Sequence, residues 1–196
     1  MEAFLFGTVG FLLCILYDIN SVSWRNRILN KMFLAGTLCI TGSAFWTVRT
    51  ALGEKTAEMP FCIIFAAGSL LFLGMLIYTL FFALPFEETY LEENRQRMAY
   101  TEGVYALCRH PGVLMFAGLF LCLWGMTGRI SQGIYFLSMI LWNYIYIILQ
   151  DVWIFPETFT NYTEYKKTTP FLIPSRNSIC RALKGRKQTE GEMHES

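Results

Sequence analysis

Charged residues are scarce in this sequence: Asp, Glu, Lys and Arg make up 16% of 196 residues, against 54% hydrophobic residues and 16% aromatic ones. That balance leaves apolar runs longer than a soluble domain of this size would bury, so the composition predicts an integral membrane protein. The net charge is only +1, which excludes a broad basic surface for nucleic acid. No Cys-x-x-Cys pair occurs among the 6 cysteines, so neither a disulfide framework nor a zinc site is implied, and no metal is expected. Cys14, Cys39, Cys62 and Cys122 lie inside apolar runs and read as small packing residues. Also missing is any strand followed by a Gly-x-Gly turn or an alternating βαβ pattern, which excludes a soluble methyltransferase domain.

What remains is a series of apolar segments. Ala3 to Tyr17 reads as an uncleaved first helix, ending at Asp18-Ile19-Asn20-Ser21 and short against the roughly 20 residues that cross a bilayer. Met32 to Leu52, Met59 to Phe86, Gly112 to Gly128 and Ile130 to about Phe155 follow. The expected fold is an all-α integral membrane bundle of about five transmembrane helices. Gly7-Thr8-Val9-Gly10 lies within an apolar helix with no Lys-Ser/Thr after it, so it reads as a helix-packing element and not as a phosphate loop. Gly128 and Arg129 join the last two segments tightly enough to require an antiparallel hairpin.

The polar stretches carry the topology. Arg25, Arg27 and Lys31 occupy the first loop, Arg95, Arg97 and Arg109 the third, and a basic tail follows Ser175. Positive-inside bias then puts the C-terminus in the cytoplasm and the N-terminus outside, with only Arg49, Lys55 and Arg129 on the far side. Residues 1–174 are expected to form one transmembrane domain, and 175–196 a polar, basic, disordered cytoplasmic tail. Glu87, Glu88, Glu92 and Glu93 form acidic pairs in the long loop before Arg109; they read equally as a functional loop or as a solvated helical extension. The sequon Asn161-Tyr162-Thr163 would face the cytoplasm and stay unmodified.

The chemistry concentrates between Thr101 and Pro111. Arg109 and His110 are donors, and Pro111, with no N–H and a fixed φ, suits the first turn of the helix that follows. Unpaired amides and the positive dipole end at a helix start favour an anion there, and Arg109 and His110 would add to that pull. Anchoring at the headgroups is the plainer use of the same residues. Gly103 permits a turn that brings backbone near a ligand. Cys108 adjoins the motif, but only His110 stands close enough in sequence to activate it as a nucleophile.

The spacing Gly103-x-Tyr105-x-x-x-Arg109-His110-Pro111 resembles the signature of the membrane-embedded methyltransferases typified by isoprenylcysteine carboxyl methyltransferase and the phospholipid N-methyltransferases. A second part of that pattern follows the hairpin. Relatives place a Glu-Glu pair there, then an apolar residue, Tyr-x-x-Tyr, a basic run and Ile-Pro. Here the positions are Gln150-Asp151, Ile154, Tyr162 and Tyr165, Lys166-Lys167, and Phe171-Leu172-Ile173-Pro174. The chain departs from the family at three points: Val113 stands where a tyrosine is usual, an amide and a shorter acid replace the glutamates, and Phe159-Thr160 only loosely represents a Phe-Gly. The resemblance covers about Thr101 to Pro174.

It implies an S-adenosylmethionine-dependent methyltransferase with its cofactor site on the cytoplasmic face, acting on a lipid-like or small apolar acceptor. S-adenosylmethionine presents a carboxylate, an ammonium, a ribose diol, an adenine and a sulfonium. Arg109 and His110 would take the carboxylate, Gln150 and Asp151 would accept from the ribose hydroxyls or ammonium, and Tyr105, Tyr162 or Tyr165 would face the cation or adenine. The resemblance also implies that Gln150→Glu and Asp151→Glu, which restore the family acids, are tolerated. No dedicated general base is evident. Two alternatives remain: a membrane sterol or steroid reductase-like oxidoreductase using NADPH, and a non-catalytic lipid-binding protein with a decayed site.

Overall fold

The structure, a computed structural model, describes residues 1–53, 59–83 and 97–183. Glu87, Glu88, Glu92, Glu93 and Arg95, together with Lys55 and the basic tail from Lys184 onward, lie outside the described residues. Among those described the chain is all-α, with no strand. The main helices are α1 (Glu2–Ile19), α2 (Met32–Gly53), α3 (Met59–Ile77), α4 (Val104–Leu107), α5 (Pro111–Thr127), α6 (Gly133–Leu149), α7 (Phe155–Thr158) and α8 (Tyr162–Thr168). Shorter π-helical turns cover Asn20–Trp24, Tyr78–Phe82 and Gln150–Ile154. The chain divides into two compact units: Met1–Gly74 with Met115–Ile154, and Met75–Leu114 with Phe155–Ser196.

Among the described residues three helical runs are long and apolar enough to cross a membrane: Glu2–Trp24, Pro60–Phe82 and Ile130–Thr158. The two other expected spans fall short for different reasons. In α2, Arg49 together with glycine, serine and threonine residues lowers the hydropathy over its 22 residues. Helix α5 is apolar but has 17 residues, about 25 Å at the α-helical rise against a hydrocarbon core of about 30 Å. Large apolar side chains stand open on these helices, among them Phe45, Leu70, Phe82 and Ile134, and contiguous apolar surface of this kind is what a bilayer covers.

In the first unit α1 packs chiefly against α2 and also against α6. Glycine makes the first of these contacts possible. A Cβ on Gly10 would stand 2.8 Å from the Gly36 carbonyl oxygen, and one on Gly36 would stand 2.6 Å from that of Gly10. The backbones therefore meet directly, as in small-residue packing of membrane helices. Gly7 likewise sits against Met139 and Ser43. Beneath this contact the core gathers Phe11, Phe120, Phe136 and Met139. Ser43 and Tyr135 satisfy each other inside it through a 2.7 Å hydroxyl pair. The turn between α5 and α6 uses Gly128 at φ 63, and the Trp124 indole N–H donates to the Arg129 carbonyl across it at 2.9 Å.

The first helix is longer than its apolar run. Instead of stopping at Asp18, it continues through Ile19 and a π turn to Trp24 and ends where Arg25 adopts φ 52. Polar side chains that read as a helix end are satisfied by partners beyond it, in the following turn for Asn20 and far along the chain for Asp18. Asn20 is fully buried, donating to the Asn26 carbonyl and Asn30 Oδ1 and accepting from the Asn26 N–H. Asp18 accepts from Gln150. Once paired, neither breaks the helix, since the cost of a buried polar group is the cost of leaving it unpaired.

Candidate functional site

The second unit holds the first motif and most of the second. Gly103 has φ 56 and ψ −128, and a Cβ there would meet nothing within 4 Å. Its glycine is required by backbone conformation and not by crowding. Helix α4 follows, Cys108 turns the chain extended, and α5 begins at Pro111. The His110 carbonyl accepts from the Val113 N–H at 3.2 Å. Proline thus stands at the first helical position, where no backbone N–H is needed.

The residues just before that helix are clamped to the far end of the chain. The Arg109 N–H donates to the Pro170 carbonyl at 2.9 Å and the His110 N–H to that of Phe171 at 3.2 Å. The Arg109 guanidinium adds a side-chain tie: Nη1 donates to the Lys166 carbonyl at 3.3 Å and to that of Thr169 at 2.5 Å. These carbonyls close the C-terminal end of α8, where a cation complements both the unpaired oxygens and the helix dipole. The guanidinium carbon also lies 5.7 Å from the Phe171 ring centroid, within cation–π range.

His110 is not a headgroup anchor. It is 6% exposed, with its ring stacked near Phe155 at 5.8 Å and edge-on to Phe171 at 5.0 Å. Its Nε2 lies 3.4 Å from the Tyr162 hydroxyl, which is also buried. Tyr165 donates to the Tyr105 carbonyl at 2.6 Å, and the Tyr105 hydroxyl donates to the Thr79 carbonyl at 2.8 Å. Lys166 places Nζ 5.9 Å from the Tyr162 ring centroid. Gly103, Tyr105, Arg109, His110, Pro111, Tyr162 and Tyr165 therefore belong to one hydrogen-bonded and aromatic assembly, although α5, α6 and their hairpin separate the two groups in sequence.

Gln150 and Asp151 belong to the first unit and open the π-helical turn Gln150–Ile154. Asp151 is buried. Gln150 points its amide nitrogen at Asp18 Oδ2, 2.6 Å away, with Tyr146 beside that carboxylate. A turn of π-helix inside a longer helix shifts the side chains after it out of the α register, and such turns are frequent at functional sites.

Cys108 is 2% exposed. Burial pushes its thiol above the ordinary cysteine value, and the hydrogen bond from the His110 backbone offsets this only in part. A thiol held neutral is a poor nucleophile at neutral pH. Among the described residues no three His, Cys, Asp or Glu side chains gather as a metal set.

Several residues that hold the site were not singled out by sequence reasoning. Asp18 read as a helix end. Thr169 and Phe155 carried no signal, and Phe171 entered only as part of the closing run before Pro174. Asn161 read as a sequon, yet its side chain is built into the backbone: Nδ2 donates to the Ala99 carbonyl at 3.0 Å, and Oδ1 accepts from the Ala99 N–H at 2.7 Å. The first residues expected in the tail, 176–183, are helical. Ser175 and Ser178 cap that turn reciprocally, the Ser175 N–H donating to Ser178 Oγ at 2.9 Å and the Ser178 N–H to Ser175 Oγ at 3.2 Å.

No protein-family model matches the chain, and no curated protein or solved structure matches it either.

Proposed function

We propose that the protein is an integral membrane S-adenosylmethionine-dependent methyltransferase, similar to the isoprenylcysteine carboxyl and phospholipid N-methyltransferases, acting on a lipid-like or small apolar acceptor. One observation carries the reading. The Arg109-His110 pair is hydrogen-bonded to Lys166, Thr169, Pro170 and Phe171, so the first stretch that resembles the family's pattern and the later part of the second, around Tyr162 to Phe171, belong to one folded assembly. The assembly also offers the side-chain types the cofactor needs, namely cations, an imidazole and tyrosine faces.

In this reading Arg109 and His110 attract the cofactor carboxylate, Gln150 and Asp151 accept from its ribose hydroxyls or ammonium, and Tyr105, Tyr162 and Tyr165 face its cation or adenine. Gly103 and Pro111 set the backbone. Methyl transfer disperses the sulfonium charge in the transition state, so a site shielded from water favours it when the acceptor is held in line. The chain crosses the bilayer about five times, with its N-terminus outside and its C-terminus in the cytoplasm. The cofactor then enters from water and the acceptor from the lipid.

The test is calorimetric titration in detergent with S-adenosylmethionine and, separately, NADPH. Saturable binding of the first and not the second is expected. Binding of NADPH alone would make the protein a reductase, and binding of neither would end both readings. His110→Ala and Asp151→Ala should each weaken S-adenosylmethionine binding tenfold to a hundredfold, about 1.5–3 kcal/mol for one charged hydrogen bond, with the helices still inserted. A non-catalytic membrane protein is the second reading, and it too has an observation of its own: the Arg109 guanidinium bonds backbone carbonyls, as a purely structural strut would.

A further inference from the structure

Helix α1 carries a carboxylate that its apolar composition does not call for. Asp18 is 6% exposed, and an acid inside a membrane helix is costly unless a specific partner meets it. Its partners are the Tyr146 hydroxyl and the Gln150 amide, whose Nε2 lies 2.6 Å from Asp18 Oδ2. A carboxyl oxygen that accepts takes the donor end of an amide, so the contact fixes which end of Gln150 faces Asp18. The nitrogen is held toward Asp18 and the oxygen away from it. Gln150 is also the first residue of the π-helical turn that carries the buried Asp151, so the contact holds the turn as well as the side chain.

We propose that Asp18 is a positioning residue for the Gln150-Asp151 element. It locks Gln150 with the amide oxygen as its outward end, so that this oxygen and the Asp151 carboxylate, next in sequence, present acceptors to the ribose hydroxyls or ammonium of S-adenosylmethionine. The inference rests on the methyltransferase reading. It also reverses an expectation drawn from the family resemblance, that Gln150→Glu restores an acid and is tolerated. An acid at position 150 would put a second carboxylate where the amide nitrogen now meets Asp18, and two carboxylates that close cannot both remain ionised.

The experiment compares the wild type with Gln150→Glu, Asp18→Asn and the double variant by S-adenosylmethionine titration in detergent, with a melting temperature for each. Gln150→Glu should lose at least about tenfold in affinity. The double variant restores an acid facing an amide with the roles exchanged and should return to within about threefold of the wild type. Asp18→Asn alone replaces the acceptor-only oxygen facing the amide with a group that can also donate, and should lose affinity about threefold without a change in melting temperature, which keeps the test open if Gln150→Glu fails to fold. A wild type that binds no S-adenosylmethionine overturns the methyltransferase reading and this inference with it. If the wild type binds, the role of Asp18 alone is overturned by either of two results: single variants of unchanged affinity, or a double variant no better than Gln150→Glu.

Discussion

The two units of this chain are held by different means. In the first, α1 and α2 meet through the glycines Gly10 and Gly36 over a core of Phe11, Phe136 and Met139. Its cohesion comes from close approach of apolar surfaces, with buried polar groups such as Asp18 and Asn20 each satisfied by a dedicated partner. In the second, short helices and extended turns are tied by hydrogen bonds between distant backbone groups and by ring contacts around His110. A small added volume should harm the first unit most. Loss of a single donor should harm the second.

The sharpest way to break this contrast is Gly10→Leu. The new side chain would have to displace the Gly36 backbone, and overpacking of this severity should cost about 3 kcal/mol, read as a lower melting temperature in detergent. A melting temperature unchanged by it would mean that α1 and α2 do not meet closely. Next comes Arg109→Ala, which leaves the Lys166 and Thr169 carbonyls without their donor and should cost about 1.5–3 kcal/mol. Arg109→Lys keeps the charge but loses the planar fork. It should recover only part of that stability, and full recovery would show that charge alone matters there.

Asn161→Ala should have a smaller effect, about 1 kcal/mol, since it removes a reciprocal amide pair with Ala99 at a half-buried position. The same pairing keeps the Asn161 amide nitrogen engaged, so a glycan at this sequon on the purified protein would contradict it. The smallest effect concerns Cys108. Because burial raises the Cys108 thiol pKa and closes it off, whereas Cys180 is exposed, alkylation of Cys108 should lag behind that of Cys180 and rise only as the pH is raised. Mass spectrometry of alkylated peptides across a pH series checks this. Equal labelling of both cysteines at pH 8 would show that Cys108 is open to solvent.

Hydropathy and local chemistry made much of the fold legible. The all-α class, the first-helix glycines as packing residues, the tight turn at Gly128 and the helix start at Pro111 are all short-range matters. Each depends on steric or apolar properties carried by a residue and its immediate neighbours. The same local reasoning ended the first helix at Asp18, because the side chain that meets its carboxyl, Gln150, lies 132 residues away in the sequence.

What only the tertiary structure decided is which polar groups are satisfied, and by whom. Asp18 can lie inside a helix because Gln150 reaches it, Arg109 closes the end of α8, and Asn161 is taken up by Ala99. A hydrogen bond is short and directional, so its partner is chosen by where the folded chain passes and not by the residues on either side. The sequence by itself therefore determined where the long apolar helices run and which residue types are chemically able to serve a cofactor. Their pairing, and with it the role of Asp18, arose only when distant segments were brought to within 3 Å or so of one another.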